Sequence, residues 1–226
     1  MKKYRTVIFD LDGTLLDTLQ DLTDSVNYAL EKYGYPLHTL EEVRFMVGNG
    51  VRLLMERAVP KGLSEQKFES IFACFKEHYD IHCNDHTHPY DGIPELLHTL
   101  KEQGYALAIV SNKVDSAVKT LRTLYFNDTI EVAIGEKEGI RRKPAPDTAV
   151  TALQELGASA GDAVYVGDSD VDIQTAANAG MDCISVSWGF RDTAFLQAHG
   201  ASRIIDHPSQ LSQILCGSSQ DWGTES

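Results

Sequence analysis

The chain has 226 residues, of which 42% are hydrophobic and 23% charged, proportions typical of a globular protein. Its 20 basic and 33 acidic residues give a formal net charge of −13, which disfavours binding to nucleic acid. No stretch reaches the roughly 18 apolar residues of a membrane helix, and no secretory signal is evident. The four cysteines form no C-x-x-C pair, so we expect free thiols and a cytoplasmic location.

Short apolar runs that alternate with helical patterns predict an α/β fold. The first run, Tyr4 to Phe9, is β-branched and aromatic and ends at Asp10, as a strand entering a loop does. Similar runs occur at residues 105–110, 132–134, 163–166 and 183–186. The helical patterns between them place on one face Ile93, Leu96, Leu97 and Leu100, and then Val150, Leu153 and Leu156. This alternation predicts a Rossmann-like parallel sheet with helices on both faces.

Residues 16–85 break the alternation with consecutive helical patterns. Apolar spacing predicts helices near residues 19–33, 51–58 and 68–79. An insertion of this kind after the first strand predicts a small all-helical domain. We therefore expect two domains, an α/β core of residues 1–15 and 86–226 and a helical domain of residues 16–85.

Polar residues follow the predicted strands at positions far apart in the sequence. They are Asp10 and Asp12, Ser111 and Asn112, Asp168 and Asp172, with Lys143 in the loop after the strand at residues 132–134. Because the carboxyl ends of parallel strands meet at one edge of a sheet, we expect these side chains to lie together. Carboxylates gathered there repel one another unless a cation lies among them. Oxygen ligands without His or Cys favour Mg²⁺.

These segments resemble the four ordered motifs of the haloacid dehalogenase superfamily. The matching segments are Asp10-Leu-Asp12-Gly13-Thr14-Leu15, Ser111-Asn112-Lys113, Lys143-Pro144 and Gly167-Asp168-Ser169-Asp170-Val171-Asp172. The resemblance covers the whole chain, since one class of these enzymes carries a helical cap where residues 16–85 are inserted. It implies a Mg²⁺-dependent phosphatase that acts on a small-molecule phosphate ester.

The chemistry of phosphoryl transfer assigns catalytic roles to three residues. Asp10 attacks phosphorus to give an aspartyl phosphate, which divides one difficult displacement into two easier ones. Asp12 protonates the leaving oxygen and later deprotonates the attacking water. Lys143 supplies positive charge to the phosphoryl group and to the nucleophile.

The remaining motif residues are expected to bind substrate or metal. Expected substrate contacts are the backbone at Gly13, the hydroxyls of Thr14 and Ser111, and Asn112. The metal ligands that the resemblance implies are Asp10, the backbone carbonyl of Asp12, and Asp168. Asp172 is expected to orient a ligand or a metal-bound water. Asp170 matches no family position and is predicted to be a loop acid.

Asp12 also distinguishes between the reactions of the superfamily. Dehalogenation needs no metal and would not use a second aspartate as an acid. Phosphonatase-type relatives replace the second aspartate with a small residue, and mutases of the β-phosphoglucomutase type carry a histidine where Leu22 aligns. Hydrolysis of a phosphomonoester is the reaction that remains.

The segment Met46-Val47-Gly48-Asn49-Gly50-Val51-Arg52 resembles a cap turn of phosphoglycolate phosphatases. Asn49 would offer donors to the substrate and Arg52 would pair with its carboxylate, so 2-phosphoglycolate is the favoured substrate. Alternatively, the glycines only shape a helix–helix turn and Arg52 is a solvated helix residue. A pyrophosphatase or sugar-phosphate phosphatase of the same superfamily stays open. So does a noncatalytic phosphoacceptor domain, which Asp-x-Asp after the first strand and the long insertion disfavour.

A run of histidines in the inserted domain invites a metal interpretation. Within eleven residues lie His78, His82, Cys83, His86 and His88. His78 and His82 have the i,i+4 spacing of a helical metal pair, but their polar neighbours are typical of a helix entering a linker. The sequence leaves open whether this cluster binds a metal and whether the chain is a monomer or a dimer.

Overall fold

The computed structural model describes residues 3–216 and divides into two compact units. The α/β unit comprises the residues up to Leu15 and those from Pro89 onward, and the helical unit is Leu16–His88. The sequence boundary between residues 85 and 86 lies slightly before the one that separates the units. Among residues 3–216, no helix is long and apolar enough to cross a membrane. Within the described residues, none of the four cysteines forms a disulfide.

Parallel strands form the sheet of the α/β unit. In the described part of the chain the strands are β1 (Thr6–Phe9), β2 (Leu16–Asp17), β3 (His88–Pro89), β4 (Ala106–Val114), β5 (Val132–Glu136), β6 (Ala163–Gly167), β7 (Asp182–Val186) and β8 (Ile204–Ile205). Six of them pair in the order β5-β4-β1-β6-β7-β8, with parallel pairing throughout, and β2 pairs with β3. The predicted α/β class is confirmed.

Helices fill the connections between strands. Over residues 3–216 they are α1 (Leu19–Lys32), α2 (Leu40–Met46), α3 (Val51–Ala58), α4 (Glu65–His82), α5 (Ile93–Glu102), α6 (Asp115–Phe126), α7 (Asp147–Leu156), α8 (Asp170–Ala179), α9 (Thr193–Ala198) and α10 (Pro208–Cys216). Asp170, expected in a loop, is the first residue of α8. An acid in the first helical turn is favoured there by the helix dipole.

The centre of the sheet explains why polar residues from distant segments meet. Every residue of β1 and β6 is buried, as expected for parallel strands covered on both faces. Phe9 lies beside Ile109 of β4 and Val166 of β6 in the registered pairs. Strands β1 and β6 therefore end at nearly the same level, while β4 continues to Val114. The acids that follow β1 and β6, Asp10 and Asp168, lie at one edge of the sheet.

Helix α7 differs from its predicted face. Val150, expected to be buried, is 37% exposed, whereas Ala149, Ala152 and Leu153 are buried against the sheet. The buried face therefore combines two alanines with Leu153, and of these the predicted face contained only Leu153. Small apolar residues such as Ala149 and Ala152 are the ones that the hydrophobic spacing omitted.

Helix α2 was not predicted because it buries little apolar surface. Its one buried residue is Val43, while Leu40 and Phe45 are exposed, so it has no apolar stripe. A readable signal was nevertheless present at its start. The Thr39 hydroxyl accepts a hydrogen bond from the Glu42 backbone, and the Glu42 carboxylate accepts one from the Thr39 backbone nitrogen, which is a capping box.

Candidate active site

Lys143 connects the carboxylates at the carboxyl edge of the sheet. Its Nζ lies 2.8 Å from Asp10 Oδ1 and 2.7 Å from Asp172 Oδ1, and it donates to the Tyr165 hydroxyl at 3.2 Å. The lysine side chain is only 2% exposed. Asp10 also accepts from the Leu11 backbone at 2.7 Å, which fixes its carboxylate at the end of β1. The predicted nucleophile and the predicted phosphoryl-binding cation are thus in direct contact.

Asp172 has protein donors on both carboxylate oxygens. Oδ1 accepts from Lys143 and from the Tyr165 hydroxyl, the latter at 3.2 Å. Oδ2 accepts from the Ser169 backbone at 3.1 Å and from its hydroxyl at 2.6 Å. This arrangement makes Asp172 a holder of Lys143 at the start of α8.

Asp168 lies where two backbone segments come very close. Its Oδ2 accepts from the Phe190 backbone at 2.7 Å, and its Oδ1 lies 3.4 Å from the Thr14 hydroxyl. A Cβ on Gly13 would overlap the Asp168 carboxylate, and one on Gly189 would come within 2.6 Å of its Oδ2. Gly13 also has φ of +85°, a conformation that disfavours other residues. Glycine is required at both positions to leave room for this carboxylate.

Burial and mutual repulsion raise the pKa values of the clustered acids. Burial, followed by repulsion from Asp172, raises the pKa of Asp10 well above its usual value. The same two causes raise the pKa of Asp168 to about 7. Burial alone would lower the pKa of Lys143, but Asp10 and Asp172 hold it well above its usual value. Lys143 therefore stays positively charged, and its charge does not offset the burial and mutual repulsion of the acids.

The residues at this edge form a group that fits a hard cation. Ligand oxygens of Asp10, Asp168 and Asp172 lie within 4.8 Å of one another, and all three residues are buried. The donor set contains only oxygen, which suits Mg²⁺. The Asp12 side chain is not part of this group.

Asp12 points toward the end of β4. Its Oδ1 lies 2.8 Å from Lys113 Nζ, and its Oδ2 lies 3.4 Å from the Ser111 hydroxyl. The Ser111 hydroxyl in turn accepts from the Lys113 backbone at 3.1 Å. The second aspartate is thus held by the last residues of β4, separate from the Asp10–Lys143 pair.

Asn112 binds the backbone of Lys143 with both ends of its amide. It accepts from the Lys143 nitrogen at 2.8 Å and donates to the Lys143 oxygen at 3.1 Å. We predicted a substrate contact at Asn112. The geometry favours a different task, in which the end of β4 fixes the loop that carries Lys143.

Arg52 lies within a cluster of glutamates in the helical unit. Its guanidinium is 3.2 Å from Glu56, 3.0 Å from Glu65 and 2.6 Å from Glu69. It also lies over the ring of Phe68, 5.0 Å from the centroid. These contacts favour the alternative in which Arg52 is a helix residue that ties α3 to α4.

The turn between α2 and α3 has its own internal support. Gly48 and Gly50 have φ values of 125° and 84°, so both positions favour glycine. Asn49 Oδ1 accepts from Arg57 at 2.9 Å, and the same guanidinium donates to the Met46 carbonyl at 2.6 Å. Arg57 therefore braces the turn.

The family model for haloacid dehalogenase-like hydrolases matches residues 7–186 of the chain. The chain belongs to this family. Haloacid dehalogenase-like hydrolases carry the four motifs in the order seen here, so the family resemblance stated from the sequence is confirmed.

Curated relatives and solved structures identify this haloacid dehalogenase-like hydrolase as a phosphatase. An N-acetylmuramic acid 6-phosphate phosphatase from Pseudomonas aeruginosa is 32% identical over 95% of this chain and 97% of its own length. A phosphoglycolate phosphatase from Aquifex aeolicus is 32% identical over 93% of this chain and 96% of its own length. The crystal structure of a candidate phosphoglycolate phosphatase from Lactobacillus delbrueckii subsp. bulgaricus is 39% identical, with a TM-score of 0.91 over 96% of this chain and all of its own.

Sequence reasoning missed several residues that build this hydrolase site. Lys113 lies inside a recognised motif, and its place at the end of a strand was a usable signal. Tyr165 lies inside an apolar strand, so nothing in the pattern marked its hydroxyl as a partner of Lys143. The backbone donor at Phe190 carries no side-chain signal at all.

The histidines of the hydrolase's helical unit have partners of their own. His78 lies 3.0 Å from the Ser25 hydroxyl, His82 lies 2.7 Å from Asp85, and the two imidazoles stack with centroids 4.3 Å apart. Burial and the neighbouring His82 lower the pKa of His78. The stacking of the two rings accounts for the i,i+4 spacing through packing.

Proposed function

We propose that the chain is a Mg²⁺-dependent phosphomonoester hydrolase that forms an aspartyl phosphate on Asp10. The observation that carries this proposal is the buried contact between Asp10 and Lys143 beside the carboxylates of Asp168 and Asp172. A carboxylate next to a buried ammonium is both a nucleophile and half of a binding site for an anionic phosphoryl group.

The metal proposal rests on the acids themselves. The raised pKa of Asp168 and of Asp10 reflects carboxylates buried close together, and a divalent cation would remove that repulsion. Asp10, Asp168 and the Asp12 backbone carbonyl would hold Mg²⁺, which when bound supplies charge to the phosphoryl oxygens. Asp172 supports the site through Lys143.

The remaining chemistry falls to side chains of this chain. Asp10 attacks phosphorus as the ester bond breaks, and Asp12 gives its proton to the departing alkoxide oxygen. Lys143 and the Ser111 hydroxyl neutralise the phosphoryl oxygens during transfer. Asp12 then takes a proton from water as that water attacks the phosphorus on Asp10, which regenerates the free carboxylate and releases phosphate.

Within this proposal, 2-phosphoglycolate is the favoured substrate. The Val47-Gly48-Asn49-Gly50 turn supports it, as does the curated phosphoglycolate phosphatase that matches nearly end to end. A second candidate is N-acetylmuramic acid 6-phosphate, a sugar phosphate. The relative named for that substrate has the same sequence identity to this chain, 32%, as the Aquifex aeolicus phosphoglycolate phosphatase. Pyrophosphate is the third candidate substrate.

A substrate panel separates these candidates. The panel contains 2-phosphoglycolate, N-acetylmuramic acid 6-phosphate, glucose 6-phosphate, pyrophosphate and p-nitrophenyl phosphate, ranked by kcat/KM with Mg²⁺. The highest value for 2-phosphoglycolate would support our choice, and the highest value for another ester would replace it.

Acid-quenched turnover tests the covalent step. We expect peptide mass spectrometry to find a phosphoryl group on Asp10 that is absent from Asp10→Asn. A stable phosphoryl adduct without product release would instead support a noncatalytic phosphoacceptor domain.

A further inference from the structure

The ion pair between Lys113 and Asp12 is a largely buried contact of the second aspartate. The two charged groups lie 2.8 Å apart, with side-chain exposures of 5% for Lys113 and 17% for Asp12. Burial removes water from the Lys113 ammonium, which costs free energy. The contact with the Asp12 carboxylate offsets part of that cost.

The position of Lys113 follows from the unusual length of β4. The strand continues beyond its last regular pair with β5, at Val110, through an irregular register to Val114. Ser111 and Lys113 are two positions apart, with Asn112 between them, so their side chains leave the extended strand on the same face. That face carries the Asp12 carboxylate, one oxygen of which lies near each of them.

From this geometry we propose that Lys113 is a positioning residue that holds the Asp12 carboxylate toward the leaving group. This inference rests on the proposed role of Asp12 as the general acid. Lys113 acts through Asp12 and is separate from Lys143, which contacts the nucleophile. Without the lysine, the carboxylate would sample other rotamers, and fewer bound esters would have an acid aligned with their bridging oxygen.

The test compares phenyl phosphate with p-nitrophenyl phosphate, two esters of similar shape. Phenyl phosphate releases phenolate, a basic leaving group that needs a proton as it departs, whereas p-nitrophenyl phosphate releases the weakly basic p-nitrophenolate. Loss of an aligned acid should therefore affect phenyl phosphate selectively. The parameter to compare is kcat/KM, which reports steps through the first phosphoryl transfer and excludes hydrolysis of the aspartyl phosphate.

Lys113→Met keeps the length of the side chain and removes its charge. We expect kcat/KM for phenyl phosphate to fall about 10- to 100-fold, the loss of one charge-assisted hydrogen bond, and that for p-nitrophenyl phosphate by less than about threefold. Lys113→Arg, which keeps the charge, should recover part of the phenyl phosphate activity. As a matched control, Lys119→Met removes an exposed lysine paired with Asp115 at 2.7 Å and should change neither ester.

A double-mutant cycle separates positioning from structural damage. In an Asp12→Asn background, Lys113→Met should cause little further loss, because both changes remove the same aligned acid. Equal losses on both esters, or full additivity in the cycle, would overturn the role of Lys113. If Asp12→Asn itself affected both esters equally, the general-acid assignment would fall first, and the inference would fall with it.

Discussion

Lys143 and Arg52 each contact several carboxylates, yet they lie in opposite environments. The Lys143 side chain is 2% exposed and lies between Asp10 and Asp172, whereas that of Arg52 is 39% exposed among three glutamates. Water screens the arginine contacts, so they are individually weak and replaceable. The lysine contacts are unscreened, and removing Lys143 would leave the buried carboxylates of Asp10 and Asp172 without their shared cation. Burial, and not the number of ion pairs, distinguishes the cluster that we propose as the active site.

The largest effect should follow a change at the buried nucleophile. Asp10→Asn replaces the carboxylate with a poor nucleophile and a poor Mg²⁺ ligand, so kcat should fall by several orders of magnitude. The fold should persist, because the amide keeps the volume of the side chain. Steady-state kinetics and circular dichroism check both parts, and near-normal turnover by the folded variant would exclude Asp10 as the nucleophile.

Removal of the metal should abolish the hydrolytic activity of the unmutated protein. Exhaustive treatment with EDTA should abolish hydrolysis and added Mg²⁺ should restore it, because the ligand set is entirely oxygen. Ca²⁺ should inhibit, since its larger and looser coordination displaces the reacting groups. Full activity after chelation, with residual metal measured by elemental analysis, would contradict the metal proposal.

Folding stability should depend on pH because the buried acids have raised pKa values. The pKa of Asp168 is about 7 in the folded chain against 3.8 for an unperturbed group, so the folded state holds a proton that the unfolded state releases. Stability of the metal-free chain should therefore fall as pH rises from about 4 to about 7. Thermal unfolding in EDTA at about pH 5 and about pH 8 measures this, and Asp168→Asn should reduce the change.

Mg²⁺ should reverse that trend. Because the metal binds the deprotonated carboxylates, its addition should raise the unfolding midpoint more at about pH 8 than at about pH 5. Equal stabilisation at both values would show that Asp168 does not control binding of the cation.

The smallest effect should follow a change at the exposed cluster. With its guanidinium already among glutamates, Arg52→Ala should lower kcat/KM for 2-phosphoglycolate and for p-nitrophenyl phosphate by the same factor, within about threefold. Arg141→Ala, which removes an exposed pair with Asp147 in the other unit, is the control. A selective loss of about 10- to 100-fold with 2-phosphoglycolate would restore the carboxylate-binding role of Arg52.

The predictable part of the site consists of residues whose place in the strand order is visible in the sequence. Asp10 and Asp168 could be placed because each follows an apolar run, and parallel strands bring such ends together. The partners of Lys143 were less accessible. Tyr165 lies within a buried strand, and the role of Asn112 depends on a loop that folds back to it. These contacts join distant segments and leave no local pattern.

The same limit applies to the fold. Helices with a wide apolar stripe, such as α1 and α5, were found because burial imposes a period on the sequence. Helix α2 has a capping box at its start but lacks an apolar stripe, so a search for hydrophobic periodicity does not detect it. In α7 the buried face includes Ala149 and Ala152, and a pattern that counts only large apolar residues overlooks them.

The pairing of β2 with β3 bears on how such enzymes diversify. The chain enters the helical unit through β2 (Leu16–Asp17) and leaves it through β3 (His88–Pro89). Because these two strands pair, and paired strands lie about 4.8 Å apart, the two ends of the insertion are neighbours. An insertion whose two ends are neighbours can be exchanged or lengthened without pulling on the sheet that precedes it. Evolution can therefore alter the inserted helices while the residues that cleave the ester keep their places. Laboratory chimaeras can be joined at the same two strands.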